Sequence, residues 1–251
     1  MEIDDSITKN KLTDYRAHYE TDADAIDDPH ALEPSRYHSE KRRLETLLRS
    51  LPLRDGIRVL DVGCGSGWFA KACAETGATV WASDLSRRGV RGARDRYPAA
   101  GLFQVGDVYH MAFADSSFDI VLLSEVLEHL EDIDRALAEV VRVLRPGGQL
   151  LASVPYRENI VRHLCVHCNQ FTPANAHLHR FDEHGLGDLL RRSGLEPQRQ
   201  ILLNNKLLEL TRFPLRSAWM PHALWRAFDR FCNMAIGRPG FLSILAVKPK
   251  Q

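Results

Sequence analysis

The segment from Arg58 to Gly67 constrains the fold of this chain more than any other. It reads Arg-Val-Leu-Asp-Val-Gly-Cys-Gly-Ser-Gly, so strand-forming apolar residues lead to Asp61 and then to glycines at alternate positions. A short apolar run bounded by turn residues is typical of a buried strand. Glycine has no Cβ and adopts positive φ readily, so a ligand can approach the backbone here. The segment predicts a ligand-binding turn at the end of a buried parallel strand.

The spacing of the glycines separates two kinds of nucleotide site. A dinucleotide fingerprint, Gly-x-Gly-x-x-Gly, beginning at Gly63 needs its third glycine at position 68, which is Trp68. The Gly-Lys-Ser/Thr sequence of a phosphate-binding loop is absent from this turn as well. The first observation disfavours an NAD-linked dehydrogenase. The second disfavours a nucleoside-triphosphate site.

The turn resembles motif I of the class I S-adenosylmethionine (SAM) dependent methyltransferases, written V-L-D-x-G-C-G-x-G. Four more segments match that family in order, so the resemblance covers roughly residues 55 to 155. They are Asp84, which ends an apolar run 23 residues after Asp61, Gly106-Asp107-Val108, the strand-like run 118–124, and the Pro-Gly-Gly turn within 144–151.

The resemblance implies that SAM is the cofactor and assigns roles to individual residues. Asp84 is expected to accept hydrogen bonds from the ribose hydroxyls. Asp107 and Val108 occupy the family position that contacts adenine, and the glycines pass beneath the amino-acid part of the donor. The predicted cofactor-binding residues are Asp61, Gly63, Gly65, Gly67, Asp84, Leu85, Asp107, Val108 and Ser124.

Alternating strand and helix patterns predict an α/β fold with a doubly wound, mostly parallel sheet. The resemblance implies seven strands, of which the last inserts antiparallel near the edge. We expect an N-terminal helical segment over residues 1–50, which contains Tyr15 and Tyr19 and acts as a lid or an edge helix. The methyltransferase domain is expected over 51–251, with an acceptor-side loop at 155–181 and a helical insertion at 205–238.

Charge and cysteine content limit the partners and the compartment. The 33 basic and 33 acidic residues balance, so the chain has no global electrostatic attraction to nucleic acid. Five cysteines are an odd number, two of them in or near the glycine turn, which disfavours a disulfide framework and favours a reducing cytoplasm. The acidic N-terminus does not resemble a secretory signal, and no apolar run predicts a membrane span.

The sequence Glu125-Val-Leu-Glu128-His129 follows the fourth predicted strand, where an acceptor should lie. If the segment is helical, Glu125, Glu128 and His129 share one face. They are the candidate catalytic residues, with His129 as a base. The pattern also resembles the site of quinone-biosynthesis O-methyltransferases, where such residues bind a divalent cation, and that alternative stays open.

A second candidate site contains Cys165, Cys168, His177 and His179. A Cys-x-x-Cys pair followed by two histidines supplies four good zinc ligands. The spacing of the histidines departs from that of zinc fingers, so an acceptor loop with reduced thiols is the alternative.

Between the last two predicted strands, Leu224, Phe228 and Phe231 recur with helical spacing, while Arg226 and Arg230 lie opposite. Such a helix could contact a membrane surface, form a homodimer, cover an apolar acceptor, or pack on its own domain.

Together these observations predict a cytoplasmic SAM-dependent methyltransferase acting on oxygen or nitrogen of a small molecule, with an apolar or lipid-like acceptor as one option. The alternative is a non-catalytic SAM-binding protein with a regulatory or assembly role. Methylation of nucleic acid is disfavoured by the balanced charge.

Overall fold

The computed structural model describes residues 14–22, 29–166 and 169–250. Its main sheet has seven strands in the order β3-β2-β1-β4-β5-β9-β8, and a separate hairpin pairs β6 with β7. The strands are β1 (Arg58–Val62), β2 (Thr79–Asp84), β3 (Leu102–Val105), β4 (Phe118–Ser124), β5 (Leu144–Pro155), β6 (Arg162–Leu164), β7 (Phe171–Pro173), β8 (Glu196–Asn205) and β9 (Pro239–Val247). The predicted doubly wound, seven-stranded sheet is confirmed.

Strand directions decide which loops meet at one edge. Strand β1 lies between β2 and β4, parallel to both, with Asp61 opposite Ala82 and Leu122. Strands β3 and β5 continue the parallel arrangement. Strand β9 is antiparallel to both β5 and β8, so β8 runs parallel to β5 and the predicted antiparallel insertion of the last strand is confirmed. The carboxyl ends of β1, β2, β3, β4, β5 and β8 therefore share one edge, where ligands bind in open α/β sheets.

Helices cover both faces of the sheet. They are α1 (Tyr15–Asp22), α2 (Pro34–Leu48), α3 (Trp68–Ala74), α4 (Arg87–Arg96), α5 (Ile133–Val143), α6 (Glu183–Arg192), α7 (Lys206–Leu210), α8 (Phe213–Arg216) and α9 (His222–Ile236). Side chains of Ser86, Asp132 and Asp182 begin α4, α5 and α6 by accepting a hydrogen bond from the backbone N–H three residues later. None of the helices within the described ranges combines the length and apolar character needed to cross a bilayer.

The core has two layers because side chains alternate along the strands. On one face, Leu60 and Leu123 pack with Leu137 of α5. On the other face, Val59 and Leu122 belong to a second cluster of buried apolar residues. Apolar side chains on both faces give the near-continuous apolar runs expected of parallel strands.

The helical insertion is oriented differently from its predicted apolar stripe. Leu224, Phe228 and Phe231 are exposed, whereas Trp225 and Asp229 of α9 are buried. The carboxylate of Asp229 accepts hydrogen bonds from the backbone N–H groups of Asn204 and Asn205 at the end of β8. These buried polar contacts determine which face of α9 meets the sheet.

Candidate functional site

The glycine turn after β1 has the backbone geometry that its sequence predicts. Gly63, Gly65 and Gly67 have φ angles of +73°, +47° and +78°. The N–H groups of Gly63 and Cys64 donate to the carbonyl of Ser83 at 2.8 and 3.0 Å, so the turn is held against β2. A Cβ on Gly63 would lie 2.5 Å from a methyl carbon of Val126, whereas a Cβ on Gly65 would meet no protein atom within 4 Å. The missing side chain of Gly65 therefore leaves room for a ligand.

Two cavities open at the carboxyl edge of the sheet, and the glycine turn lies between them. The first has a volume of about 230 Å³ and is lined by Asp84, Leu85, Asp107, Val108 and His129 among others. The second, of about 400 Å³, extends toward α2 and is lined by Asp61, Ser124 and aromatic residues of α3. Gly63, Gly65 and Glu125 line both cavities. A ligand that extends along the turn can therefore reach Glu125 from either side.

Two predicted cofactor-binding carboxylates lie in the first cavity. Asp84 accepts hydrogen bonds from the N–H groups of Gly65 and Ser86, at 2.9 and 3.0 Å, and burial raises its pKa. Burial also favours a raised pKa for Asp107. Hydrogen bonds from the backbone N–H of Tyr109 and from the side chains of Tyr15 and Arg16 outweigh that effect and lower it. Asp107 is therefore ionised at neutral pH.

Helix α1 crosses the first cavity and contacts two of its walls. The hydroxyl of Tyr15 donates to the carboxylate of Asp107 at 2.8 Å, and Arg16 forms an ion pair with the same carboxylate at 2.8 Å. One turn later, the hydroxyl of Tyr19 donates to the backbone carbonyl of His129 at 3.1 Å. Helix α1 thus joins the carboxylate of Asp107 to the His129 segment.

The second cavity contains a buried carboxylate and a guanidinium group. Asp61 is 2% exposed, and burial raises its pKa to about 7, with a further contribution from the charge of Asp84. Its Oδ2 atom has no hydrogen-bond partner. Arg43 of α2 donates to the hydroxyl of Ser124 at 3.0 Å and lies 3.5 Å from the carboxylate of Glu125. A cation thus faces the end of β4.

The segment after β4 does not form the predicted α-helix. Glu125 has a positive φ of +59°, and the only helical residues that follow are a single 3-10 turn over Leu127–His129. The proposed common helical face of Glu125, Glu128 and His129 is therefore wrong. Glu125 instead accepts a hydrogen bond from Ser153, and burial raises its pKa to about 7 despite the opposing charge of Arg43.

Glu128 and His129 instead meet a histidine from the acceptor-side loop. Among the described residues, one group of three metal-ligand side chains has its ligand atoms within 4.8 Å of one another: Glu128, His129 and His177. Both carboxylate oxygens of Glu128 and the Nδ1 atom of His129 are buried without a hydrogen-bond partner. The rings of His129 and His177 are edge to face, with centroids 4.7 Å apart. Glu158 accepts a hydrogen bond from Nδ1 of His177.

Burial determines the protonation of this cluster. It lowers the pKa of His129 to about 4, with a further contribution from His177, so the imidazole of His129 is neutral at pH 7. Burial and the nearby charge of Glu125 raise the pKa of Glu128 well above its usual value. The buried cluster therefore places a neutral imidazole beside a carboxyl group whose oxygens have no hydrogen-bond partner among the described residues.

The predicted zinc ligands do not come together among the described residues. Cys165 follows β6 at the tip of the β6–β7 hairpin, where its N–H donates to the carbonyl of Gln170. His177 lies beyond the other end of this hairpin, and Nε2 of His179 donates to the carbonyl of Leu130 at 2.7 Å. Cys168 lies outside the described residues.

The sequence did not predict three features of this site, which are Arg43, Glu158 and the contact of His177 with Glu128. Each comes from a segment distant in sequence from Glu125 to His129, and no local pattern marks it. The hydrogen bonds from the N–H groups of Leu178 and His179 to the carbonyl of Glu128 bring the acceptor-side loop to this position.

The fold and the glycine turn define a class I methyltransferase architecture. Residues 60–152 match the family described as a methyltransferase domain. This segment, a little more than a third of the chain, is therefore similar to the methyltransferase domain family.

Two curated relatives each match less than half of the chain. Methyltransferase GfsG of Streptomyces halstedii is 40% identical over 49% of this chain and 46% of its own length. Malonyl-(acyl-carrier protein) O-methyltransferase of Pectobacterium atrosepticum is 38% identical over 41% of each chain. The chain thus covers less than half of the length of these relatives.

A solved structure resembles the chain over more of its length. The 1,6-didemethyltoxoflavin-N1-methyltransferase of Burkholderia thailandensis, with bound 1,6-didemethyltoxoflavin and S-adenosylhomocysteine, covers 94% of this chain and 88% of its own. The TM-score is 0.59 and the sequence identity is 20%, so this likeness concerns the fold.

Proposed function

We propose that this chain transfers a methyl group from SAM to a small-molecule acceptor. The observation that carries the proposal is that Gly63, Gly65 and Glu125 line both cavities. A donor that extends along the glycine turn would present its methyl group at this junction, next to Glu125. The turn lies within residues 60–152, which match the methyltransferase domain family.

In this proposal the donor occupies the first cavity through its adenosine part. Asp84 accepts hydrogen bonds from the ribose hydroxyls, and Asp107 with Val108 contacts adenine. Leu85 packs beside the ribose, and Gly67 begins α3 beneath the donor. The amino-acid part of the donor extends past Gly65 toward Ser124 and the unpaired oxygen of Asp61 in the second cavity.

The transfer is a displacement at the methyl carbon. A lone pair of the acceptor oxygen or nitrogen forms the new bond to carbon, the carbon–sulfur bond breaks, and sulfur keeps the bonding electrons in S-adenosylhomocysteine. An acceptor O–H or N–H must also lose its proton. The neutral imidazole of His129, which lines the first cavity, is the base we propose for that proton. Glu125 and Glu128 orient the acceptor.

The acceptor is a small molecule rather than nucleic acid in this proposal. The balanced charge of the chain provides no general attraction to phosphate backbones. The names of the relatives favour oxygen or nitrogen as the methylated atom. The odd number of cysteines, five, disfavours a disulfide framework and supports our proposal of a reducing, cytoplasmic location.

The test separates binding from turnover. Calorimetry with SAM should show binding to the parent protein and a large loss in Asp84→Ala, and an acceptor panel should yield S-adenosylhomocysteine with at least one compound. Binding of SAM with no turnover across the panel would favour the non-catalytic SAM-binding alternative. Absence of SAM binding would contradict the proposal altogether.

A second candidate role concerns a divalent cation next to the acceptor. Glu128, His129 and His177 supply three ligand atoms, and the unpaired oxygens of buried Glu128 fit such an ion. Glu158 would fix the ring of His177 through Nδ1, as outer carboxylates do for metal-bound histidines. A bound cation would lower the pKa of an acceptor hydroxyl.

Metal analysis of protein purified without a histidine tag tests this role. A stoichiometric metal that His177→Ala removes and Cys165→Ser leaves in place would support the cluster, whereas removal by Cys165→Ser and Cys168→Ser would support zinc at the Cys-x-x-Cys pair with His177 and His179. If methyl transfer continued at its full rate in the presence of a chelator, the reaction would need no metal ion and His129 would act as the base alone.

A further inference from the structure

Helix α9 buries two polar side chains, Asp229 and Asn233, and leaves several large apolar side chains exposed. Its buried face contains Trp225, Asp229, Cys232 and Asn233. Asp229 and Asn233 are satisfied there by hydrogen bonds with the end of β8, including one of 2.8 Å between Asn233 and Asn205. A helix on the surface of a water-exposed domain normally has the opposite arrangement.

The apolar side chains of this insertion are unusually exposed. Those that are more than 60% exposed are Leu210, Trp219, Leu224, Phe231 and Met234. The ring of Phe213 in α8 packs against that of Phe228 in α9, with centroids 5.0 Å apart, which joins the two helices. We call the exposed side of residues 206–238 the insertion face.

Charge on the insertion face is mainly positive, although Arg212 forms an ion pair with Glu33. Residues 206–238 contain six basic and two acidic residues, although the whole chain is neutral. The basic side chains exposed to solvent are Lys206, Arg212, Arg216, Arg230 and Arg238. Both acidic residues are turned inward, because Glu209 accepts a hydrogen bond from Ser39 and Asp229 binds the backbone of β8.

The insertion face begins at the ligand-binding edge. Strand β8 runs parallel to β5, so α7 leaves the sheet at the same edge as the glycine turn and Glu125. The N–H of Lys206 donates to the carbonyl of Arg238, which returns the end of α9 to this edge. The β6–β7 hairpin, with Val166 and Phe171 exposed, also follows a strand that ends here.

We propose that the insertion face binds the surface of a membrane that contains anionic lipid. Apolar side chains beside arginines match an acyl boundary covered by negative headgroups. A homodimer through this face is less favourable than lipid binding, because a two-fold interface would bring the two identical clusters of arginines together. Binding of the lipid surface does not depend on methyl transfer, so the two proposals can fail separately.

Vesicle flotation tests the proposal with the full chain. The parent protein should float with vesicles of phosphatidylcholine and phosphatidylglycerol, much less with phosphatidylcholine alone, and less again as salt rises. Leu224→Ser and Phe231→Ser should each reduce partitioning by about tenfold, since each removes one large buried side chain from the lipid.

Matched controls come from the opposite end of the sheet. Leu102→Ser changes a side chain that is 63% exposed on edge strand β3, and it should leave flotation unchanged. Arg230→Glu should reduce binding to anionic vesicles more than Arg94→Glu in α4 does. Thermal unfolding and SAM binding confirm that each variant is folded.

Three results would overturn the proposal. The first would be a parent protein that does not float with anionic vesicles. The second would be a loss of flotation in Leu102→Ser as large as that in Phe231→Ser. The third would be a dimer, detected by light scattering, that Phe231→Ser dissociates while vesicles bind neither the dimer nor the monomer. The last result would assign the insertion face to a homodimer.

Discussion

The proposed donor side and the proposed acceptor side of the site are built in different ways. The donor side uses strand ends and their turns: the glycine turn after β1, Asp84 at the end of β2, and Asp107 shortly after β3. The acceptor side brings together Arg43 from α2, the turn after β4, and Glu158 and His177 from the loop after β5. Backbone geometry thus organises one side, and long-range side-chain contacts organise the other.

The largest expected effect is the loss of methyl-transfer rate on substitution of His129, which tests the acceptor side without the donor side. His129→Ala should lower the methyl-transfer rate by about 10²- to 10⁴-fold, because it removes the proposed proton acceptor. Donor affinity measured by calorimetry should change little. His184→Ala, in the exposed part of α6, is the matched control and should retain the parent rate. A loss of donor affinity in His129→Ala as large as the loss of rate would contradict the separation of the donor side from the acceptor side.

The donor side can be tested with Gly65→Ala. Its Cβ would meet no protein atom but would point into the space that both cavities share, so donor affinity should fall by about 100-fold. The positive φ of Gly65 adds backbone strain of about 1 kcal/mol to the folded state. Gly92→Ala, in α4 with open space around its Cβ, should retain affinity. Unchanged affinity in Gly65→Ala would rule out close approach of the donor.

Asp61 gives a stability test on the donor side. Its folded pKa of about 7 exceeds the ordinary value of 3.8, so ionisation of Asp61 reduces stability as pH rises from about 4 to about 7. Without ligand, Asp61→Asn should raise the free energy of unfolding by about 2 kcal/mol at pH 8 and not at pH 4. Asp95→Asn on the exposed side of α4 should show no such pH dependence. Denaturant unfolding at both pH values measures the difference.

The smallest effect concerns Arg43. Its charge opposes the raised pKa of Glu125, so Arg43→Gln should move the acidic midpoint of the pH–rate profile upward by about one pH unit. Arg36→Gln, an exposed position on α2, should leave the midpoint in place. A lower maximal rate with an unmoved midpoint would limit Arg43 to a structural role.

The sequence predicted the sheet and the strand ends because these follow from local patterns. Apolar runs that end in Asp61 or Asp84 identify buried strands, and alternate glycines identify the turn. The meeting of His177 with Glu128 depends on how a loop folds back, which no periodicity encodes. In α9, the spacing of Leu224 and Phe231 correctly predicted that these side chains lie on one face of the helix. It could not predict whether that face meets the sheet or the solvent, because the buried contacts of Asp229 determine the rotation of the helix.

Helix α1 links ligand exchange to a local opening. Tyr15 and Arg16 bind Asp107, and Tyr19 binds the carbonyl of His129, so three contacts hold α1 across the first cavity. If the donor occupies the first cavity as we propose, we expect donor exchange to require these contacts to break, because both walls are joined by the same helix. We therefore expect the opening of α1 to limit turnover when the chemical step is fast.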